Sequence, residues 1–453
     1  MIPDYIRKTL SALNDAGFEA YIVGGAVRDT LRGVPVHDYD ITTSALPDTV
    51  TKVMTSAGFK LIIDSSSIYG TVVFTHPDAP SDKVEITTFR SDNSYSDRRH
   101  PDDVRFTSSL EEDAARRDFT VNSLYMDINE KIIDPNGGRA DIDSGIIRAI
   151  GNPSDRFNED ALRILRAVRF EAVTGFTIEG ETSAAMAHCA PLLKNISAER
   201  IFAEFTGIVT GPYGPDAIRH NIEVVSVIIP ELKLQVNFDQ KSKFHDRDLL
   251  THTLDVLAGI PLGEDGVKDA AVAYSAVLHD IGKPQVFTID EDGVGHMKKH
   301  NVAGMFIAER LADELKFPNI LKQEVSQLVM YHDTFPEPER KSVRKFIATV
   351  GVPFCEKLFA LQKADVEAHS VYGKPRIERL KVIMSLYDEI MAEEPCLTVK
   401  DLKVRGGDVI GLGIEKGPMV GKVLDDVLAR VLDEQLNNDK DEIMNYIKER
   451  YSL

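Results

Sequence analysis

Residues Val23–Thr42 read VGGAVRDTLRGVPVHDYDIT. An apolar run stops at Val23, Gly24-Gly25 make a turn, a short helix opens at Ala26, and a second strand is predicted around Tyr39–Thr42. Asp38 and Asp40 alternate with Tyr39, and the two-residue period of a strand points both carboxylates to one side, where they can share metal ions. Gly24 and Gly25 leave backbone N–H groups open to phosphate oxygens, the helix start adds its positive end, and Arg28 is placed to clamp a triphosphate. A polar turn with solvated carboxylates would use the same residues. Upstream, Ile2, Ile6, Leu10 and Leu13 recur at helical spacing. Downstream, the β-branched runs Gly70–His76 (GTVVFTH) and Lys83–Phe89 (KVEITTF) predict strands, with Glu85 as candidate third metal ligand. The expectation is an α+β chain with a small mixed sheet in a head at 1–139. All-α segments follow: a neck at 140–234, a metal-site domain at 235–380 and a tail at 381–453.

At 453 residues, 43% hydrophobic and 28% charged, the chain has the composition of a soluble protein of several domains. No stretch approaches the ~18 uncharged apolar residues of a membrane helix, and the first residues lack a secretory pattern, so a cytoplasmic protein is expected. Cys189, Cys355 and Cys396 form no CxxC pair, which excludes a disulfide framework and a thiolate zinc site. The net charge of −19 opposes a broad basic face for nucleic acid. Arginines nevertheless cluster at Arg90, Arg98, Arg99, Arg105, Arg116 and Arg117, and again at Arg163, Arg166 and Arg169. They predict local anion sites.

Val23–Thr42 resembles the first signature of the polymerase-beta-like nucleotidyltransferases, in the branch of class II tRNA nucleotidyltransferases and bacterial poly(A) polymerases. The resemblance continues in order. Arg116–Leu124 (RRDFTVNSL) is similar to the second motif, which implies ribose and phosphate contacts from Arg116, Arg117 and Asp118, with Asn122 nearby. Asp134–Asp141 (DPNGGRAD) is similar to the hinge motif, whose paired glycines would permit domain rotation. Glu159–Arg163 (EDALR) resembles the base-selecting motif and Ser197–Glu204 (SAERIFAE) the next neck signature. The polar stretch Phe89–Leu110 resembles the loop that accompanies the switch from cytosine to adenine addition. Asp160 and Arg163, three apart on a helix, would offer an acceptor and a fork of donors to a base edge, with Arg166 one turn on; an ordinary surface salt bridge has the same spacing. The resemblance implies Mg²⁺ on Asp38 and Asp40, CTP and ATP as substrates and tRNA as partner, with no DNA and no membrane.

A second constellation lies beyond residue 250. His279-Asp280 closes the apolar helical run Ala270–Leu278, and His252 and Asp365 lie on other helical segments. Together His252, His279, Asp280 and Asp365 resemble the four ligands of an HD-type phosphohydrolase, with His300 and His332 where such proteins carry a second metal. Imidazole and carboxylate suit a divalent transition metal or Mg²⁺, which would acidify a bound water for phosphoester hydrolysis. Lys283 is placed to contact the substrate phosphate. His245 and His296 receive no role.

The tail, Leu397–Gly421 followed by a helix bearing Leu424, Leu428 and Val431, resembles the family's tRNA-holding C-terminal region; a purely structural cap would read alike. A complete C-C-A adder is the leading expectation. A poly(A) polymerase or partial adder is its rival, disfavoured by a short tail of mixed charge. A regulatory protein nucleotidyltransferase with an HD domain would end in ligand-sensing βαβ domains.

Overall fold

The computed structural model describes residues 2–452 apart from His37, 66–69, Asp78, 93–103 and His245. The chain divides into two compact units, Met1–Lys233 and Leu234–Leu453.

In the first unit the opening helix, Asp4–Asp15, buries Ile6, Thr9, Leu10 and Leu13 along one stripe, as its spacing predicts. The strands are β1 (Ala20–Val23), β2 (Asp40–Thr43), β3 (Lys60–Ser65), β4 (Thr71–His76), β5 (Ala79–Thr88), β6 (Arg90–Asp92), β7 (Val104–Phe106), β8 (Tyr125–Met126) and β9 (Ile132–Ile133). Seven form one mixed sheet in the order β3-β4-β5-β2-β1-β8-β9. Ile22, Ile41, Val72, Phe74, Val84 and Ile86 are buried along it, and the β-branched runs read from the sequence are β4 and the second half of β5. β2 pairs with β1 antiparallel and with β5 parallel. β6 and β7 pair as a separate ladder, so the stretch read as a loop has ordered ends. Arg98 and Arg99 lie outside the described residues. Helices at Pro153–Glu159, Leu162–Thr174, Gly180–Cys189 and Ala198–Thr210 follow, with one short parallel ladder, Ile146–Ile147 on Thr177–Ile178, that the helical pattern conceals.

The second unit is helical, with a two-stranded ladder, Thr288–Ile289 on Gly295–His296, at its surface. Leu249–Gly259 and Ala270–Leu278 pack with Val352–Glu367, and eight of the nine residues of Ala270–Leu278 are buried. Further cores gather Val343, Ile347, Phe359, Ile383 and Ile390, and then Leu402, Val409, Val423, Val427, Ile443 and Ile447. No described helix is long and apolar enough to cross a membrane.

Candidate functional site

In the first unit, β2 begins at Asp40, whose Cα partner across the parallel ladder is Glu85. Asp38 lies two residues earlier in extended chain, and all three side chains reach solvent. Asp40 is nonetheless pushed up to about 6, by desolvation first and then by the charges of Asp38 and Glu85, with Arg117 and Arg166 opposing. Asp38 and Glu85 thus oppose the charge of Asp40, and a cation at this edge would relieve that repulsion. Their oxygens are not drawn together as tightly as the groups of the second unit described below.

Around this edge the arginines are tied down. Arg28 turns its Nε and Nη2 to Asp29, and its Nη1 donates to Asn122 Oδ1 at 2.8 Å. This fixes the guanidinium against the second motif and not into open space. Asn122 is buried and its Nδ2 has no hydrogen-bond partner, which leaves one donor for a ligand. Arg116 and Arg117 both fork onto Asp113, a residue the sequence reading missed. This wholly buried carboxylate accepts from Arg116 Nη2 at 2.6 Å, Arg117 Nη2 at 2.9 Å and the Tyr125 hydroxyl at 2.9 Å. Burial works against its charge, but Arg117 and Arg116 outweigh burial and lower it to about 2. The i,i+3 and i,i+4 spacing in DAARR was the available signal. Asp118 accepts from the Phe119 N–H and from Arg166 Nε at 2.7 Å. Phe170 receives Arg28, Arg166 and Arg169 within 5.5 Å of its ring centroid, and through Arg28 a cation–π contact joins the helix Gly25–Arg32 to Leu162–Thr174.

Asp160 and Arg163 are not on one helix. Pro153–Glu159 ends before Asp160, whose backbone is extended, and the next helix starts at Leu162. Asp160 Oδ1 accepts the Leu162 N–H, which opens that helix, and Oδ2 accepts from Arg200 Nη2 at 2.7 Å. Arg163, buried, donates to Glu159 Oε2 at 2.7 Å and to the Arg116 carbonyl at 3.0 Å. The two side chains are thus held by different partners, Arg200 and Glu159, on either side of a break.

The second unit brings His252, His279, Asp280, Asp365, His300 and His332 together. His252 Nε2 lies 3.1 Å from Asp365 Oδ1 and 3.5 Å from Asp280 Oδ2; His279 Nε2 lies 3.1 Å from Asp280 Oδ2. His300 and His332 face Asp280 Oδ1 at 3.4 and 3.7 Å. Three triads have ligand atoms within 4.8 Å of one another: His252-His279-Asp280, Asp280-His300-His332 and His252-Asp365-His369. His369 was not foreseen, although it follows Asp365 at i+4.

Local structure makes these donors converge. The Nδ1 atoms of His279, His300 and His332 meet the carbonyls of Ala276, Met297 and Val329 at 2.7 to 3.0 Å, which places the proton on Nδ1 and leaves Nε2 as a lone pair. Yet His300 Nε2 and His332 Nε2 face each other at 3.2 Å, and His279 Nε2 and His252 Nε2 at 3.4 Å. In the His300–His332 pair these are opposed lone pairs, which repel unless a cation or a proton sits between them. Asp280 is buried, its Oδ1 accepts no hydrogen bond, and it belongs to two of the triads. Burial opposes charging His252, but Asp280 and Asp365 raise it to about 9, which again marks a place that attracts positive charge. Burial lowers His369 to about 4 and keeps it in the neutral form a metal needs. The donor set fits divalent ions. Lys283 lies in the wall, but its Nζ is bound to Asp280 Oδ2 at 2.6 Å and Gln240 Oε1 at 2.8 Å, so it orients a ligand. The turn that carries Asp280 presses on the His300 helix at Gly282, where a Cβ would stand 2.4 Å from the His300 carbonyl oxygen.

The chain matches the family model of the poly A polymerase head domain over residues 20–148, that of an RNA-binding site of polymerase A over 175–233, and that of a tRNA nucleotidyltransferase domain 2 over 307–447. It is 30% identical to the CCA-adding enzyme of Streptococcus gordonii, over 97% of this chain and 96% of that one. It is 32% identical to that of Leuconostoc mesenteroides, over 97% and 94%. Its fold superposes on the Bacillus stearothermophilus CCA-adding enzyme in complex with CTP with a TM-score of 0.70, at 29% identity, covering 100% of this chain and 98% of that one. With the head sheet, the arginine-bearing neck and near full-length similarity in hand, this chain belongs to the CCA-adding enzyme family of nucleotidyltransferases.

Proposed function

We propose that the chain adds C, C and A to the 3′ end of tRNA from CTP and ATP, without a nucleic-acid template. The observation that carries this reading is the acidic edge formed by Asp38, Asp40 and Glu85 facing a tethered arginine array, in a chain similar to CCA-adding enzymes over almost its whole length. Asp38 and Asp40 hold Mg²⁺, with Glu85 as further ligand. When bound, the two ions neutralise the triphosphate and the developing charge on the attacking 3′-OH and the leaving pyrophosphate. Gly24, Gly25, Asn122 Nδ2, Arg116, Arg117 and Asp118 position triphosphate and ribose. Asp160 and Arg163 select the base, held in register by Arg200 and Glu159, with Arg166 bracing Asp118. We assign 1–139 to the catalytic head, 140–234 to the base-selecting neck, 235–380 to a metal-dependent HD domain and 381–453 to tRNA holding, and place the work in the cytoplasm.

For the second unit we propose phosphodiesterase or phosphatase activity of the HD type. His252, His279, Asp280 and Asp365 hold one divalent ion; His300 and His332 share Asp280 for a second. A bound ion there acidifies water toward hydroxide near neutral pH. The convergent Nε2 atoms support this assignment.

A tRNA ending before CCA, incubated with CTP, ATP or both, tests the first activity: two cytidines then one adenosine are expected. A long adenosine ladder would establish the rival poly(A) polymerase, and a single class of addition a partial adder.

A further inference from the structure

The metal cluster opens into a cavity of about 190 Å³ whose outer wall includes Phe244, Asp333 and Arg376. A second cavity, of about 310 Å³, is lined by Asp333, Phe335, Arg376 and Arg379. The two share Asp333 and Arg376. Ligand-sized pockets begin at roughly 300 Å³, so the inner space alone seats little more than a phosphorylated end, while the outer one has room for what that end is attached to.

Arg376 is held by an aromatic ring and not by an acid. Its Cζ lies 5.4 Å from the Phe244 ring centroid, and Lys243 Nζ lies 5.3 Å from the same ring. Phe244 is fixed in turn, because its carbonyl accepts the Ser370 N–H at 2.9 Å and Ser370 Oγ donates to the Lys243 carbonyl at 2.8 Å. Among the described residues no carboxylate forms an ion pair with Arg376, which reaches solvent, although Asp333 lines the same two cavities. Arg376 stands in the first turn of the helix Lys374–Ala392, together with Lys374 and without an acid. Cations at a helix N-terminus oppose the helix dipole, and an anion there would relieve both. Arg379 follows one turn later, on the outer cavity, its Nη2 anchored to the Pro336 carbonyl and ion-paired with Glu337 Oε2, each at 3.2 Å.

We propose that Arg376 is the recognition arm of the HD-type centre, with Arg379 bounding the outer cavity: Arg376 holds the phosphate next to the one being hydrolysed, so that the site takes a phosphoester at the end of an oligonucleotide in preference to a free mononucleotide. Phe244 and Phe335 supply apolar faces for the sugar and base between the two phosphates. The proposal rests on the hydrolytic reading of that centre for its reaction, but the binding groove is a separate claim and is tested separately.

The test uses the full chain, wild type and Arg376→Ala, with Arg376→Lys as the variant that keeps the charge. In EDTA, a 4-thiouridine dinucleotide with a 3′-terminal phosphate is photocrosslinked and the adducts are mapped by peptide mass spectrometry. Adducts are expected on the peptides containing Phe244, Phe335 or Arg376, about tenfold fewer in Arg376→Ala, with Arg376→Lys between. With divalent metal restored, the preference in kcat/KM for a dinucleotide 2′,3′-cyclic phosphate over the mononucleotide should fall by about tenfold in Arg376→Ala. Bound metal and C-C-A addition should stay unchanged. Equal losses on both substrates, or adducts that map elsewhere, would overturn the proposal. A wild-type chain that binds no metal and hydrolyses neither substrate would overturn the hydrolytic reading, and the crosslinks would still decide the groove.

Discussion

Asp113→Asn removes one charge and changes little volume, so it isolates what the buried carboxylate contributes. Asp113 is depressed from 3.8 to about 2, and at 1.36 kcal/mol per unit this corresponds to about 2 kcal/mol of head stability. Because the folded value is lowered, that stability is present above the unfolded value of 3.8 and is lost as pH falls toward 2. The asparagine loses this term and leaves two guanidiniums short of a charged acceptor at 15% and 17% side-chain exposure. Breaking one partner of a buried pair costs about 3–5 kcal/mol; residual solvent access at the arginines favours the lower end, about 3 kcal/mol. The chain has two units, so one global melting curve would mix them. Amide hydrogen exchange of residues 110–126 reads the head locally, and a loss of about 3 kcal/mol appears there as roughly a hundredfold faster exchange. The same variant should raise KM for CTP and ATP, since Arg116 and Arg117 lose their common anchor, and its protection should no longer fall between pH 3.8 and 2. Unchanged protection together with unchanged KM would refute the role given to Asp113.

Asp40→Asn should abolish nucleotide addition yet stabilise the metal-free head. Its raised value means that the folded state keeps a proton the unfolded chain has released between pH 3.8 and 6. Head stability therefore falls as pH rises through that window, and amide exchange in residues 110–126 should be slower in the variant above pH 6 and converge with wild type near pH 4, by less than about 1 kcal/mol because the carboxylate reaches solvent. Faster exchange at pH 7 would contradict the repulsion. Gly282→Ala forces a Cβ against the His300 carbonyl oxygen and the Gly304 nitrogen, at 2.4 and 2.6 Å; overpacking of this kind costs about 1–3 kcal/mol and should reduce bound divalent metal, measured by plasma mass spectrometry, while nucleotide addition persists. Full metal content in that variant would show that the turn does not set the site. Arg200→Ala releases Asp160 Oδ2 and should increase incorporation of wrong nucleotides without changing bound metal; wild-type fidelity would remove Asp160 from base selection.

What was legible in the sequence is what the chain encodes locally. The strand that opens at Asp40, the stripe of Ile6, Leu10 and Leu13, and the apolar run that delivers His279 and Asp280 each follow from spacing within one element. Asp160 was misplaced for an instructive reason: an acid immediately before an apolar run is a helix-start signal, and it starts the Leu162 helix where the eye runs Glu159 to Arg163 into one. Arg200 on Asp160 and Phe170 beneath three arginines are contacts between elements 40 or more residues apart, or between cations and a ring that periodicity assigns simply to the core. His369 lay in plain spacing from Asp365, yet only the packing of its ring on His252, 5.4 Å between centroids and nearly parallel, makes it part of the cluster.

The two acidic regions meet opposite electrostatic problems, and their architecture follows. In the second unit the ligands are mostly imidazoles, three of them oriented by backbone carbonyls, with Asp280 and Asp365 as the acids and Lys283 beside them. Such a set can be buried and preorganised because little like-charge repulsion opposes it. In the head all three candidate ligands are carboxylates, and burying them together would cost far more than any fold returns. They stay at a solvent-reaching strand edge, and the compensating cations are not packed on them but fixed a short distance away, Arg116 and Arg117 on Asp113, Arg166 on Asp118. An arginine spent directly on Asp40 would compete with the metal; an arginine neutralised by its own buried acid keeps its position without cancelling the charge that the cation must find. The buried acids Asp113 and Asp118 therefore let the first unit carry an anionic strand edge and an arginine cluster side by side without collapse of one onto the other.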